Sequence, residues 1–249
     1  MSNAFLGGGF EGARGPTTMA VKVNNPPLIT FALFAFNQER FICEAVKSAL
    51  AQTYAPIEFL FSDDCSTDRT FELMERTVLD DGCRPRSVLV RTNARNLGLA
   101  HHINLVSSLA TGDFIVVAAG DDISEPHRVQ ALVSSWCAAG RPDCSVFSAM
   151  SEIDQNSKLT GRRFRSKVDW KRMTPRSLLK RNLGVFGASH AWCRSISREF
   201  PPLYENVINE DVVIPFRAML MDGGIYLDDP LVRYRSNIGL ASNTAGLRT

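Results

Sequence analysis

Thr111 to Pro126 reads T-G-D-F-I-V-V-A-A-G-D-D-I-S-E-P. The apolar run from Phe114 to Ala118 has the length and flanks of a strand buried on both faces. It ends in a further Ala, a Gly and two adjacent carboxylates, Asp121 and Asp122. An ionised carboxylate is costly to bury without a partner. Two of them at the end of a buried strand imply that something positive comes to meet them.

Working back from that stretch, the same grammar repeats. Leu28 to Phe36 is a near-continuous apolar run after Pro26-Pro27, and it ends at Asn37-Gln38-Glu39. Phe41/Ile42, Ala45/Val46 and Ala49/Leu50 then recur four apart, which is one helix face. Ile57 to Phe61 is a second short strand, closed by Ser62-Asp63-Asp64-Cys65-Ser66-Thr67-Asp68. Phe71, Met74 and Val78 mark a helix whose N-cap is offered by Ser66, Thr67 or Asp68. Ser87 to Arg91 is a third strand, Asn93 to Gly98 a loop, and Ala100, Ile103 and Leu109 a third helix. Forward of Asp122, Pro126 opens a helix with Val129, Leu132, Val133 and Trp136.

Strands alternating with helices of this length give right-handed βαβ crossovers. The expected fold is therefore α/β, a Rossmann-like, mainly parallel sheet flanked by helices in a single domain. In such sheets the ligand crevice lies beyond the carboxyl ends of the strands. Asn37-Gln38-Glu39, Asp63-Asp64 and Asp121-Asp122 all fall there, so clusters far apart in sequence are expected at one edge.

Composition narrows the class. The chain has 249 residues, 45% of them hydrophobic, with a net charge of +2, so bulk charge gives no argument for nucleic acid. No apolar run approaches the roughly 20 residues that cross a bilayer. The six cysteines show no C-x-x-C spacing and read as reduced thiols of a cytoplasmic protein. Residues 1–26 are Gly-rich and aperiodic, expected as a disordered leader or an expression remnant. Lys158 to Arg181 holds ten Lys or Arg against one acid, Asp169. That segment is most often a solvated face; its other reading is a peripheral contact with an anionic membrane or a phosphorylated lipid carrier. Further on, Glu210-Asp211 opens an apolar helix, and Asp228-Asp229 before Pro230 read as turn residues.

Adjacent carboxylates at a strand end suit a hard divalent cation, Mn²⁺ or Mg²⁺, that keeps positions open for phosphates. No P-loop, no dinucleotide G-x-G-x-x-G and no nucleophile elbow is present. A nucleotide diphosphate held by a metal remains, with Asp64 accepting from a base or ribose. Asp211 is placed to act as general base on an incoming hydroxyl.

These residues together resemble the family 2 inverting glycosyltransferases, which have the GT-A fold. The resemblance is carried by Pro27 to Tyr54, by D-D-C-S-T-D-R-T (Asp63 to Thr70), and by Asn96, Gly98, Asn104 and Gly112-Asp113. It continues through Asp121-Asp122, Glu210-Asp211 with Arg217 beyond, and P-L-V-R-Y-R (Pro230 to Arg235). It implies a GT-A domain over 27–249, with residues 27–125 as the nucleotide-binding half and 126–249 as the acceptor-binding half. It implies Phe36, Glu39, Asp64, Asn96 and Asp121 at the nucleotide, Asp122 on the metal and Asp211 as base. Trp170, Trp192 and Glu210 are the candidates on the acceptor side. The expected donor is a UDP-sugar, with dTDP- and GDP-sugars as alternatives, and the acceptor a saccharide or lipid-linked hydroxyl at the inner face of the membrane. Two positions depart from the family pattern. Ala119 stands where a further Asp is frequent, and Asn237 where a His is frequent.

Each assignment has a structural competitor. Asp121-Asp122 could cap the helix after Pro126, and Glu210-Asp211 could simply serve a helix N-terminus. Phe36, Trp170 and Trp192 could be core, and His101 and His102 packing or surface residues. From other classes, a sugar-nucleotide or glycan-binding module without turnover fits the same residues. A nucleotidyltransferase fits less well, because Asn37-Gln38-Glu39-Arg40 is no Gly-rich basic loop.

Overall fold

The computed structural model describes residues 26–82, 87–166, 173–174, 176 and 186–236. In chain order the elements are β1 (Ile29–Ala35), α1 (Ile42–Leu50), β2 (Ile57–Asp63), α2 (Thr70–Asp80), β3 (Ser87–Thr92), α3 (Leu99–Leu109), β4 (Phe114–Ala119), β5 (Ile123–Ser124) and α4 (Arg128–Ala138). They continue as β6 (Ser145–Ile153), β7 (Leu159–Phe164), a 3-10 turn (Gly187–Ser189), β8 (His190–Cys193), α5 (Arg194–Glu199), α6 (Glu210–Leu220) and β9 (Gly224–Arg235).

The strands form one sheet in the order β3-β2-β1-β4-β8-β6-β9-β5, with β7 on the side of β6. The first four are mutually parallel, as the βαβ pattern requires. β8 enters antiparallel between β4 and β6, and β9 runs parallel to β6. All seven residues of β1 are buried. Ile29, Phe31, Leu33 and Ala35 join the core under α1, α2 and α4, and Ala32 and Phe34 join the one under α3, α5 and α6. Period-2 alternation with both faces apolar is what a central parallel strand needs.

Gly112 sits where a Cβ would lie 2.5 Å from the Thr30 backbone nitrogen. It lets the start of β4 approach β1, and its N–H donates to Thr30 Oγ1 at 3.1 Å and Glu58 Oε1 at 3.0 Å. Gly112-Asp113 therefore serves packing at the end of β4 remote from Asp121.

Asp228-Asp229 are not a turn between strands. They bulge from the continuous β9, whose register to β6 steps from Ser148↔Leu227 to Ala149↔Pro230. Pro230 has no N–H for a ladder, and a bulge is where a strand tolerates that. Of the basic segment, β7 is an exposed edge strand, in which Arg162 pairs with Glu152; Arg165, just beyond it, pairs with Asp228. Residues 167–172, 175 and 177–181 of that segment, Trp170 among them, lie outside the described residues, as do residues 1–25, Cys83 and Asn237. The five described cysteines are free. Among the described residues no helix is long and apolar enough to cross a membrane.

Candidate active site

The register brings the three polar clusters to one edge. Ala35 pairs with Asp63 and Phe34 with Ala119, so β1, β2 and β4 end side by side. Asp64 N–H donates to Ala35 O at 2.9 Å, and Gly120 N–H to Phe34 O at 2.9 Å. Phe36, half-buried, caps β1 between them.

Asp64 is buried, and its carboxylate fastens the loop that leads into α3. It accepts from Asn93 Nδ2 at 2.6 Å, Leu97 N at 2.9 Å and Gly98 N at 3.0 Å. Asn96 is exposed and accepts from Gly98 N at 2.9 Å, which shapes the same loop. Beneath lies His102, buried, with Nε2 2.7 Å from Ser62 Oγ and its ring edge-on to Phe34. Burial first, then the Arg91 charge, pull its pKa down to about 4, while Asp64 and Asp63 oppose. The packing expectation for His102 holds.

Glu39 is exposed and hydrogen-bonded to the entry of α2. Its carboxylate accepts from Arg69 N at 3.1 Å, while its own N–H donates to Asp68 Oδ2 at 3.1 Å. Asn37 Oδ1 accepts from Thr67 N at 2.8 Å, and Gln38 N donates to Thr70 Oγ1 at 2.7 Å. These bonds tie the β1–α1 loop to the entry of α2, satisfying N–H groups that a helix start leaves open.

Asp121 and Asp122 are both buried. Arg235 crosses behind them from the end of β9, itself fully buried. Its N–H donates to Asp122 Oδ1 at 2.7 Å, Nε to Asp121 O at 2.9 Å, Nη1 to Asp154 O at 2.7 Å and Nη2 to Glu44 Oε2 at 3.0 Å. Its guanidinium also stacks 4.3 Å from the Phe41 ring centroid. Asp122 Oδ2 has no hydrogen-bond partner among the described residues although it is buried. Burial, then the neighbouring Asp121 charge, hold the Asp122 carboxyl well above the usual carboxylate range. The Arg235 N–H and the charges of Arg128 and Arg235 act against that. Burial likewise raises Asp121, against its own N–H, Arg235 and a hydrogen bond from Gln38.

An orphaned, desolvated carboxylate oxygen fits a hard divalent cation, whose ligands are oxygens. Among the described residues no three His, Cys, Asp or Glu converge on one point. A cation here would take one or two oxygens from the protein and leave its other positions to phosphate and water, as Mg²⁺ and Mn²⁺ do at phosphates.

The late acids are connected to this corner through the 3-10 turn. Arg128, fully buried, donates from Nη2 to Ala188 O at 2.9 Å and to Val117 O at 2.7 Å. Next to Ala188, a Cβ on Gly187 would lie 2.8 Å from Glu210 Oε1 and 4.0 Å from Asp211 Cβ. Burial, then the Asp211 charge, push Glu210 up to about 7, and burial raises Asp211. Phe164, Phe186 and Tyr234 form an aromatic cluster beside this turn, with centroids 5.4 to 6.5 Å apart. The Tyr234 hydroxyl is raised by burial and by the Asp122 and Asp121 charges.

Trp192 does not stand at this edge. It is buried under α5, 2% exposed, and its Nε1 donates to Ser197 Oγ at 3.1 Å, so it has no face free for stacking on a sugar. All four residues of β8 are buried, which makes it core. Sequence reasoning missed Arg128 and Gly187, and it had Gln38 only within the Asn37-Gln38-Glu39 cluster and Tyr234 only within the quoted tail. Arg235 was visible only as part of the quoted tail. A buried arginine leaves no periodic signal, because its partners are backbone carbonyls from distant segments.

Residues 30–200 match the family described as Glycosyl transferase family 2. The putative glycosyltransferase EpsE of Bacillus subtilis is 33% identical over 112 residues, 45% of this chain and 39% of that protein. Among solved structures, S. aureus TarS 1–349 in complex with UDP-GlcNAc superposes with a TM-score of 0.65 at 19% identity, over 85% of this chain and 59% of that one. The mannosyltransferase PcManGT of Pyrobaculum calidifontis, in complex with GDP-Man and Mn²⁺, gives 0.62 at 20% identity, over 94% and 63%. This chain thus spans well under two thirds of EpsE and of TarS. The structural likenesses establish the expected fold, a single α/β domain of the kind seen in GT-A glycosyltransferases. With a family match over residues 30–200 and the strand-end acids in register, the chain belongs to glycosyl transferase family 2.

Proposed function

We propose that the chain is a metal-dependent inverting glycosyltransferase that moves a sugar from a nucleotide-sugar to a hydroxyl of a glycan or lipid-linked acceptor. The observation that carries this reading is the unpartnered, buried Oδ2 of Asp122 at the common end of β1, β2 and β4. Mn²⁺ or Mg²⁺ bound there supplies Lewis-acid neutralisation of the leaving diphosphate. Asp121 lies beside it for the ribose or as a further oxygen ligand, and Phe36 borders the base.

A UDP-sugar is favoured by Asp64. A carboxylate has about four acceptor sites, and the α3 loop uses three of them. One site remains, which suits the single imide N–H of uracil or thymine better than the paired donors of guanine. TarS with UDP-GlcNAc is in line with this, and PcManGT with GDP-Man and Mn²⁺ is in line with the metal.

Asp211 takes the acceptor proton. Its raised affinity for a proton, from burial, makes it a better base near neutral pH than an exposed Asp. The acceptor oxygen bonds to the anomeric carbon from the face opposite the diphosphate, and the carbon–phosphate-oxygen bond breaks. Its electron pair leaves with the nucleoside diphosphate, and the configuration inverts. Glu210 lines the acceptor side. A cytoplasmic setting at the membrane's inner face is part of this proposal.

Calorimetry with a UDP-sugar, with and without Mn²⁺, tests the reading. Asp122→Asn is expected to abolish the Mn²⁺ enhancement of binding. Asp211→Asn is expected to keep binding and lose transfer by about a thousandfold or more. Unchanged Mn²⁺-dependent binding in Asp122→Asn removes the metal assignment. Binding without release of nucleotide to any acceptor would instead make the chain a binding module.

A further inference from the structure

A cavity of about 300 Å³ opens between α3, α5 and α6. It is remote from the acid pair. Cys193, the last residue before α5, pairs with Phe114 at the start of β4, and Arg194 N–H donates to Asp113 O at 3.0 Å. Asp121 lies beyond the other end of that six-residue strand, about 20 Å away at a strand's rise.

Three arginines line the cavity, Arg194, Arg198 and Arg217, and no Asp or Glu does. Arg217 is half-buried on α6, and its described partner is the Phe200 ring, 5.5 Å from the guanidinium carbon. Arg198 is exposed. Among the described residues neither makes a hydrogen bond or an ion pair. Arg194 donates one Nη1 bond to Ala110 O at 3.1 Å, and its other guanidinium N–H groups make no hydrogen bond among the described residues. Ser107 and Ser197 add hydroxyls to the wall, while Ile196 and Ile214 provide an apolar floor.

Three like charges around one concavity repel each other, and low-dielectric walls strengthen that field. Withdrawing the Arg217 guanidinium from water without an anion also costs free energy, and burial lowers its pKa accordingly. An anion in the cavity reverses both penalties. Arginine forks match the paired oxygens of phosphate. The volume is at the lower end of ligand pockets, room for a phosphate or diphosphate group rather than a large ligand.

We propose that the cavity between α3, α5 and α6 is a second, metal-independent binding site for a phosphate group, held by Arg194, Arg198 and Arg217. Two sources share this chemistry, a free small-molecule phosphate and an anionic lipid headgroup.

The probe is inorganic pyrophosphate, titrated calorimetrically into the full chain in EDTA so that metal-dependent binding at the acid pair is silent. Saturable binding at one site per chain is expected. Arg217→Gln and Arg198→Ser should each weaken it at least about tenfold, since a hydrogen bond to a charged group contributes about 1.5–3 kcal/mol. Asp122→Asn should leave it unchanged. Arg198 is exposed, so its variant reports even if Arg217→Gln fails to fold. Flotation with phosphatidylcholine vesicles, with and without phosphatidic acid, separates the sources. Flotation that requires phosphatidic acid and is lost in Arg198→Ser identifies a headgroup; pyrophosphate binding without flotation identifies a free phosphate. Neither pyrophosphate binding nor flotation, or binding equal in wild type and both arginine variants, overturns the proposal.

Discussion

Asp122 works against stability at the pH where it would bind a metal. Its carboxyl is held above the usual range chiefly by burial, and its Oδ2 has no donor. A carboxylate with a raised folded pKa stabilises the fold below its ordinary pKa, and that contribution is lost as pH rises through the raised value. In EDTA at pH 8, Asp122→Asn should therefore stabilise the chain, by roughly 1 kcal/mol, as substitutions that relieve strained active sites do. Asn keeps an oxygen for the Arg235 N–H, which now donates to Asp122 Oδ1. At pH 4.5 the gain should largely vanish. Urea midpoints at the two pH values check this; a variant less stable than wild type at pH 8 would show that the buried charge is already satisfied. At this scale the sequence shows which residues stand at strand ends, but not what each one touches. Glu39 stands where the nucleotide was expected, and its carboxylate accepts from Arg69 N. That bond joins residues 30 apart and has no local signature. Trp192 could be read as either platform or core, and four buried positions in β8 decide for core.

The elements divide by how much of their pairing is local. β1, β2, β3 and β4 were legible because each is an apolar run feeding a helix, and the crossover rule fixes their direction. β8 was not: it has four residues, and its antiparallel place between β4 and β6 is set by long-range pairing. Two glycines show how such elements are held. At Gly112 an added Cβ would meet backbone, Thr30 N at 2.5 Å, which cannot move without parting β1 from β4. Gly112→Ala should cost about 3 kcal/mol, the range of overpacking, measurable as a fall in urea midpoint. At Gly187 the nearest atom is the tip of a side chain, Glu210 Oε1 at 2.8 Å. That carboxylate can swing away, so Gly187→Ala should change stability by less than about 0.5 kcal/mol. The swing also displaces the acid next to Asp211, so transfer should fall about ten- to a hundredfold. A Gly187→Ala enzyme of full activity would place Glu210 outside the reacting site.

Across the whole molecule, the parallel half gathers Asp64, Asp121 and Asp122 by topology alone, and that convergence was readable from the strand order. The later half reaches the same edge by a route the pattern does not encode: β9 bulges at Asp228-Asp229, then carries Arg235 back to the acid pair. Stability of the whole should respond to pH from two sides. His102 and His190 are buried against Ser62 and Ser145, and burial pulls them down to about 4 and about 3. An unfolded histidine titrates near 6.5. Between about 6.5 and 4 the unfolded chain therefore binds more protons at these sites, and stability falls as pH falls. Glu210 acts in the opposite sense. Its folded pKa of about 7 exceeds the unfolded value, so its contribution is lost as pH rises towards and through 7. Asp121, Asp122 and Asp211 shift in the same direction as Glu210. Below about pH 7 the two groups therefore oppose each other: the histidines make stability rise with pH, and Glu210 makes it fall. Urea midpoints from pH 4 to 8.5 should show His102→Gln, which keeps a polar atom towards Ser62 Oγ, losing part of the rise between about pH 4 and 6.5. Glu210→Gln removes the opposing contribution and should make the rise of stability with pH below about 7 steeper. If His102→Gln keeps the acid slope of the wild type, the neutral buried imidazole is not what limits the fold in acid.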